Sequence, residues 1–115
     1  MITGQWKTVT IGATPATTSA EVDLGRQYET VMVVCPALTT SATVAIQGAV
    51  ATGGTFQNIH LTDPITGDNL QVISAAFTTA NFTWIAPIGA IQYIKLVLSA
   101  AQAAEKTFYV CGVRS

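Results

Sequence analysis

The chain is divided into short runs of β-branched and aliphatic residues, and most of these runs end at a glycine, a proline or an Asp/Asn cluster. The run at residues 6–11, for example, alternates Val9 and Ile11 with threonines and stops at Gly12. An apolar residue at every second position is typical of a strand that turns one face to a core. Because such runs recur about nine times at the spacing seen in small sandwich domains, they predict an all-β chain.

The expected strands differ in whether one or both of their faces are buried. In the second of them, residues 20–24, alternation places Ala20, Val22 and Leu24 on one face. The third is apolar without alternation, so we expect both of its faces to be covered. The full set of predicted strands is residues 6–11, 20–24, 30–35, 42–47, 55–61, 70–74, 82–84, 90–98 and 107–113.

The connections between these runs complete the prediction of the fold. Gly53-Gly54 indicates a hairpin turn between the fourth and fifth strands. The alanine-rich stretch at residues 99–106 is too short for a stable isolated helix, so we predict a loop with at most one helical turn. About eight or nine antiparallel strands are typical of a sandwich or barrel, and we predict a jelly-roll-like antiparallel β-sandwich. It forms one domain, residues 1–115, with a short N-terminal arm at about residues 1–5.

Charge is scarce and evenly balanced. Only 10% of the residues are charged, against roughly 25% in an ordinary soluble domain. Five Lys and Arg residues and six Asp and Glu residues leave a net charge of -1. A nucleic-acid-binding surface needs clustered basic residues, and these five are scattered, so nucleic acid is excluded as a partner. Intrinsic disorder is excluded as well, because it requires low hydrophobicity and high charge.

The mean hydropathy is nevertheless positive, at +0.46. No apolar run approaches the roughly 18 residues of a spanning helix, because residues 31–35 stop at Pro36 and residues 85–91 contain Pro87 and Gly89. The N-terminus has neither the basic start nor the apolar stretch of a signal peptide. We therefore expect a protein that is made and kept in a cytosol and has no membrane partner.

Few side chains could support catalysis or hold a metal. His60 is the single histidine, and without a Ser-His-Asp order or a His-rich spacing it is interpreted as a hydrogen-bonded surface residue. Asp63, Asp68 and Asn69, with Asn58 nearby, could offer oxygens to calcium. Their spacing matches no EF-hand loop, however, and is ordinary turn chemistry. We predict no catalytic residue, no metal ligand and no cofactor.

Two cysteines, Cys35 and Cys111, each lie at the end of a β-type run. They could form a disulfide that joins the last strand to a middle one, or remain two buried reduced thiols. The second interpretation is favoured, since cytosolic proteins keep their thiols reduced.

Aromatic side chains are the remaining signal of binding. They could form a platform on which a sugar ring stacks, although aromatics in a small sandwich more often belong to the core. Tyr93 and Tyr109 each alternate with aliphatic residues in strands that we expect to be central, which favours the core for both. Trp6, beside Lys7 and near one end of the chain, is the one that we expect to be exposed or buried in a partner. The set is Trp6, Tyr28, Phe56, Trp84, Tyr93 and Tyr109.

Four stretches carry a resemblance to a known type of protein: residues 42–48 (ATVAIQG), 53–56 (GGTF), 83–86 (TWIA) and 91–100 (IQYIKLVLSA). Through them about two thirds of the chain resembles the small β-sandwich structural proteins of tailed-bacteriophage virions, of the capsid decoration or cement type. The chain departs from that pattern with AVAT at residues 49–52, where a turn of the Ser-Asn-Asp type is usual. The resemblance therefore implies that this apolar loop tip contacts protein.

The resemblance implies a non-enzymatic capsid decoration protein that binds the outer capsid surface and stabilises contacts between major capsid protein subunits. The scarcity of charge agrees with this role, because a symmetric assembly hides a surface that would promote association of a free monomer. We expect the major capsid protein and copies of the chain itself as partners, in a dimer or, by preference, a trimer. The expected location is the capsid surface of the virion, after synthesis in the host cytoplasm.

The contacts are expected in the N-terminal arm and at the apolar loop tip, at Ile2, Thr3, Gln5, Trp6, Val50 and Ala51. Two alternatives stay open. The first is another virion part, a tail, fibre or baseplate sandwich. The second is a carbohydrate-binding module, which requires at least two aromatics exposed on one face beside carboxylate or amide groups.

Overall fold

A computed structural model describes residues 2–62, 64–78 and 81–114 of the chain. Within these residues there are nine strands and no helix, so nothing described here could cross a membrane as a helix. Residues 99–105 form a loop, as predicted. The strands are β1 (Ile2–Thr3), β2 (Lys7–Ile11), β3 (Val22–Cys35), β4 (Val44–Ala49), β5 (Gln57–Asn58), β6 (His60–Thr62), β7 (Asn69–Gln71), β8 (Phe82–Leu98) and β9 (Lys106–Arg114).

The strands pair antiparallel throughout, and seven of those described form one sheet with the order β1-β9-β3-β8-β4-β5, in which β2 also pairs with β9. Strand β8 belongs to two layers of this sheet. Residues 82–91 of β8 pair with residues 28–35 of β3, and residues 93–98 pair with β4. The first layer therefore consists of β1, β2 and β9, together with residues 28–35 of β3 and residues 82–91 of β8. The second holds the beginning of β3, the end of β8, β4 and β5, which confirms the predicted antiparallel β-sandwich.

The two long strands bend where they pass from one layer to the other. Gly25 in β3 has a φ of 92°, and Gly89 and Ala90 in β8 have φ values of 61° and 64°. The register between the two strands shifts on both sides of the pair formed by Tyr28 and Ile91. Positive φ angles suit glycine, and such irregularities bend a strand without ending it.

These bends correct the predicted strand boundaries. Residues 20–24 and 30–35 were expected to be separate strands, but β3 runs through both. Residues 82–84 and 90–98 likewise belong to the single strand β8. Ala20, expected on the core face, is exposed, because β3 begins at Val22 and regular alternation does not extend back to it. The glycine that appeared to end a strand lies at its bend.

The core lies between the two layers and is built from alternate positions. In β3, Val31, Val33 and Cys35 are buried, while Met32 and Val34 are only partly buried. The expectation that residues 30–35 are covered on both faces is thus wrong, because no second sheet of the described chain lies on the outside of the first layer. The largest completely buried side chains include Phe108, Ile11, Ile46, Ile88, Ile94, Leu96 and Leu98.

Candidate binding surfaces

The N-terminal arm is part of the first layer. Ile2 pairs with Arg114 and Thr3 with Val113, and the Gly4 amide donates a hydrogen bond to the Gly112 carbonyl at 2.9 Å. The predicted N-terminal arm is therefore held in the sheet by its pairing with β9. Strand β9 extends beyond the residues that pair with β2. Strand β1 pairs with this last part of β9 and forms hydrogen bonds with backbone groups of β9 that β2 does not reach.

Trp6 lies in the connection between β1 and β2, beside a groove on the outside of the first layer. Its side chain is 52% exposed, as the sequence predicted for this residue. The groove has a volume of about 560 Å³. It is lined by Thr3, Gly4, Trp6, Glu29, Thr30, Met32, Ile85, Cys111 and Val113.

Three neighbouring strands supply the floor of this groove. Met32 of β3 pairs with Ile85 of β8 on one side and with Cys111 of β9 on the other. Ile85 is 60% exposed, and Tyr109, on the same face of β9 as Cys111, is 47% exposed. Tyr109 was expected in the core, but it is Phe108 and Val110, on the other face of β9, that are buried. We call the surface formed by Trp6, Met32, Ile85, Tyr109 and Val113 the Trp6 face. Contiguous apolar surface of this kind marks sites of interaction with other macromolecules.

The two cysteines lie on opposite faces of the first layer. Cys35 points into the core, and its burial raises the pKa of the thiol to about 12. The Cys111 thiol is beneath the arm and donates a hydrogen bond to the Gly4 carbonyl at 3.2 Å. Side chains on opposite faces of a sheet cannot reach each other to form a disulfide. Both thiols are free, which confirms the favoured interpretation.

The predicted apolar loop tip lies between β4 and β5. Val50 is 94% exposed and Ala51 is exposed as well. The loop is fastened to Glu21, whose carboxylate accepts hydrogen bonds from the Thr52 hydroxyl at 2.5 Å and from the Gly53 amide at 2.7 Å. The pKa of Glu21 is lowered mainly by the hydrogen bond from Thr52 and next by the hydrogen bond from Gly53. Val50 is thus displayed on a loop with a fixed base.

The predicted contact residues do not form a single site. Thr3 and Trp6 line the groove of the first layer, whereas Val50 lines a different cavity beside β4 and β5. Gln5 borders a third depression, which also contains Lys7 and Arg26. The structure therefore offers the Trp6 face and the loop tip as two separate candidate surfaces.

The polar residues that were weighed for catalysis or calcium binding do not come together in one site. His60 and Asp68 are exposed, and the side-chain oxygen Oδ1 of Asn58 accepts a hydrogen bond from Gln47 Nε2 at 3.2 Å. Asp63 lies outside the described residues. No group of three or more potential metal-ligating side chains occurs within the described part of the chain.

A third apolar surface was missed by reasoning from the sequence. Strands β6 and β7 form a small separate sheet with residues 64–68 between them, which we call the β6–β7 arm. Leu61 and Leu70 of this arm are 43% and 51% exposed, and Ile65 near its tip is 92% exposed. The turn at this position was predicted, but apolar residues in a strand pattern were taken to face a core.

Comparison with known proteins supports the fold without assigning a family. No family model and no curated protein matches the chain. Among solved structures, it is similar to the SPBc2 prophage-derived protein YomS, with a TM-score of 0.57 and 14% identity over 97% of this chain and 95% of that one. At this identity the likeness shows the fold alone. Nearly the whole chain therefore shares its fold with a prophage-derived protein.

Two further solved structures are less similar. One is the IMPa metallopeptidase of Pseudomonas aeruginosa, with a TM-score of 0.48 and 15% identity, in which the match covers all of this chain but 13% of that one. The other is a family 11 carbohydrate-binding module of Clostridium thermocellum, with a TM-score of 0.42 and 10% identity over 99% of this chain and 87% of that one. At these TM-scores neither match supports a conclusion about the fold or the function of this chain.

Proposed function

We propose that the chain is a non-enzymatic structural protein of a phage virion, and specifically a capsid decoration or cement protein. It binds the outer capsid surface and stabilises contacts between major capsid protein subunits. The observation that carries the proposal is the exposed apolar Trp6 face. The fold shared with a prophage-derived protein, together with the resemblance in sequence, supports a phage origin for this surface.

The Trp6 face has the composition of the centre of a protein interface. Trp6 and Tyr109 are large, half-exposed aromatics, and aromatic side chains of this kind dominate binding energies. Burying the exposed half of an indole removes roughly 100 Å² from water, which contributes about 2 kcal/mol. Of the described groove residues only Glu29 is charged, so little charge has to be desolvated on binding.

The stabilising mechanism is mass action. A protein that contacts two adjacent capsid subunits binds the assembled shell and not the separated subunits, and it therefore shifts the equilibrium toward the shell. The loop tip at Val50 and Ala51, of which Val50 lines a different cavity, provides a second contact. Two separate surfaces allow one molecule to contact the major capsid protein and a neighbouring copy of itself at the capsid surface.

One alternative function has a specific observation in its favour. Trp6 and Tyr109 are both exposed on the first layer, as a sugar-stacking platform requires. The floor of the groove between them, Met32, Ile85 and Val113, is apolar and cannot hydrogen-bond sugar hydroxyls. Glu29 is the single carboxylate among the described residues that line the groove, beside the hydroxyls of Thr3 and Thr30. Binding of the chain to a glycan array that depends on Trp6 would support this alternative over the capsid function.

The proposal is tested by the loading of the chain onto capsid shells of the phage that encodes it. Replacing the indole in Trp6→Ser should weaken shell binding about 10- to 30-fold, because the exposed half of the side chain no longer contributes to the contact. The exposed loop variant Ala104→Ser is the matched control and should bind like the parent. Equal binding by both variants would count against the Trp6 face, and thermal unfolding of each variant verifies that it is folded.

A further inference from the structure

A basic depression lies next to the Trp6 groove. It has a volume of about 310 Å³, and Lys7 and Arg26, two of the five cationic side chains of the chain, line it. Among the described residues of its lining there is no carboxylate. Thr3 and Gly4 line both cavities, so the two share a wall. We call this cavity the Arg26 depression.

Arg26 is held at the depression by a bulge in β3. Asp23 and Tyr28 pair with positions of β8 that are two residues apart, so the four β3 residues 24–27 lie opposite a single residue. Gly25 within this bulge has a φ of 92°, and Arg26 is exposed. A bulge interrupts the regular alternation of a strand and turns a side chain in a new direction. The backbone of Arg26 is thus fixed by the sheet on both sides.

Lys7 reaches the depression from the core-facing side of β2. In this strand Val9 and Ile11 are buried, and Lys7, two residues before Val9, is partly buried. Side chains two residues apart on a strand point to the same side of the sheet. Lys7 therefore projects from the inner side of the first layer, whereas the Trp6 groove is on the outer side. The edge strand β1 lies between the two cavities.

The hydroxyl of Tyr28 is a third polar group at the depression. The Tyr28 side chain is 4% exposed, and its hydroxyl oxygen lies against Gly4, where an added Cβ would be 2.6 Å away. Within the described part of the chain this hydroxyl has no hydrogen-bond partner, and it is not sealed from solvent. A tyrosine hydroxyl in so buried a residue usually has a partner. The Tyr28 hydroxyl is thus available to a bound group.

Asp23 offsets part of the positive charge at the depression. Its Oδ1 accepts hydrogen bonds from Gln92 Nε2 at 2.9 Å and from the Gly25 amide at 2.8 Å, and these bonds, in that order, lower its pKa. The charge of Lys7 lowers the pKa further, which shows that the two groups are near each other. Since Arg26 has no ion pair with a described residue, a net positive charge remains.

These groups define the chemistry of a ligand. Lys7 and Arg26 carry donors without acceptors, and the Tyr28 hydroxyl can donate as well. The planar fork of a guanidinium matches a carboxylate, whose two oxygens both accept hydrogen bonds. A phosphate monoester would bring nearly two negative charges, which exceeds the positive charge that Asp23 leaves. The site therefore fits a single carboxylate.

We propose that the Arg26 depression binds the carboxylate of an Asp or Glu side chain of the major capsid protein, on the surface that covers the Trp6 face. This inference rests on the proposed function and adds the chemistry of its partner. A partner surface that covers the groove and wraps over the edge strand β1 reaches the depression, because Thr3 and Gly4 border both. The apolar contact supplies affinity, and the charge pair fixes the register and speeds association.

Titration of the free protein with sodium acetate tests the site without a capsid. At constant ionic strength, with chloride as the other anion, the amide NMR signals of Gly4, Gly25 and Arg26 should shift and saturate. Arg26→Gln should weaken acetate binding about tenfold, because the guanidinium donors are lost. Lys106→Gln removes the same charge outside the depression and should bind acetate like the parent. Unshifted signals, or tighter binding of inorganic phosphate than of acetate, would overturn the proposal.

Tyr28→Phe separates the hydroxyl from the packing of the ring. Since the hydroxyl has no partner in the described chain, the melting temperature should be unchanged. Acetate binding should nevertheless weaken about fivefold, because one hydrogen bond to the carboxylate is lost. A destabilised variant would show that the hydroxyl serves the fold instead of a ligand. Unchanged acetate binding by the stable variant would equally contradict its place in the site.

Binding to capsid shells separates this inference from the proposed function. Arg26→Gln should weaken shell binding about tenfold and make it less sensitive to salt, whereas Lys106→Gln should not. Carbodiimide treatment of loaded shells should couple Lys7 to an Asp or Glu of the major capsid protein. If the parent does not bind shells, the proposed function fails, while the acetate titration still decides the depression. Equal shell binding by the two variants would refute the assignment of the carboxylate to the capsid protein.

Discussion

The outer surfaces of the two layers differ in polarity. On the second layer, the loop that follows β4 is fastened to Glu21, Asp23 accepts a hydrogen bond from Gln92 at 2.9 Å, and the Lys95 ammonium lies 4.6 Å from the centre of the Phe56 ring. On the first layer, the corresponding surface is the apolar Trp6 face. Charged and polar side chains are thus used to complete the second layer within the monomer. On the first layer an apolar surface remains exposed.

This difference gives a meaning to the low charge of the chain. Of the described residues that line the Trp6 groove, only Glu29 is charged. Lys7, Lys106 and Arg114 also lie on strands of the first layer but outside this groove, and Glu21, Asp23 and Lys95 belong to the second layer. Averaged over the chain, the shortage of charge indicates only a tendency to associate. At the Trp6 groove the shortage is seen directly in the lining of one exposed surface.

The largest predicted effect concerns the inside of the first layer. A Cβ atom at Gly112 would lie 2.2 Å from the ring of buried Tyr28, at the point where β3 bends toward the second layer. We therefore expect Gly112→Ala to destabilise the fold by about 3 kcal/mol. Chemical unfolding measures this, with Gly12→Ala as the control, because its Cβ would meet Ala16 at an ordinary 3.7 Å. Equal stability of the two variants would contradict the packing between the layers.

A smaller effect should distinguish the two faces of the first layer. Cys111 lies under the Trp6 face, whereas Cys35 is in the core with a pKa raised to about 12. Trp6→Ser should increase the rate of Cys111 alkylation about tenfold by opening the groove, and leave Cys35 unreactive, because the thiolate is the reacting form. Mass spectrometry of the two peptides follows both sites. Equal rates in the parent and the variant would show that the indole does not cover the groove.

The smallest predicted effect belongs to the second layer. Hydrogen bonds from Thr52 and Gly53 lower the pKa of Glu21 from its usual 4.5. A lowered pKa stabilises the fold above the unfolded value, and this contribution is lost as the pH falls from about 4.5 through the folded value. Glu21→Gln should therefore reduce the melting temperature slightly at pH 7, and the difference from the parent should shrink toward pH 3. A difference independent of pH would exclude this role for the carboxylate.

Local features of the fold were predictable from the sequence. The Gly53-Gly54 hairpin is confirmed by the pairing of Gln47 with Asn58, and the loop at residues 99–105 is confirmed as well. The bends at Gly25 and Gly89 were not foreseen. A glycine inside a strand pattern looks the same whether it ends the strand or bends it, and the pairing on both sides decides between the two.

The candidate surfaces were predictable only in part. Trp6 was expected to be exposed because it lies near one end of the chain beside Lys7. The groove was not foreseen, because Met32, Ile85 and Cys111 come from three distant segments that meet only through sheet pairing. The leucines of the β6–β7 arm were missed for a related reason. Alternation shows that a face is apolar, but whether another layer covers that face depends on contacts far away in sequence.

We propose that the Trp6 face binds the outside of a capsid shell. It is tested most directly by an electron cryomicroscopy map of the virion of the phage that encodes the chain. Our account predicts density for this sandwich on the outer capsid surface, with the indole of Trp6 buried against a major capsid protein subunit. Purified heads that lack the chain, or a map in which the Trp6 face is open to solvent, would contradict it.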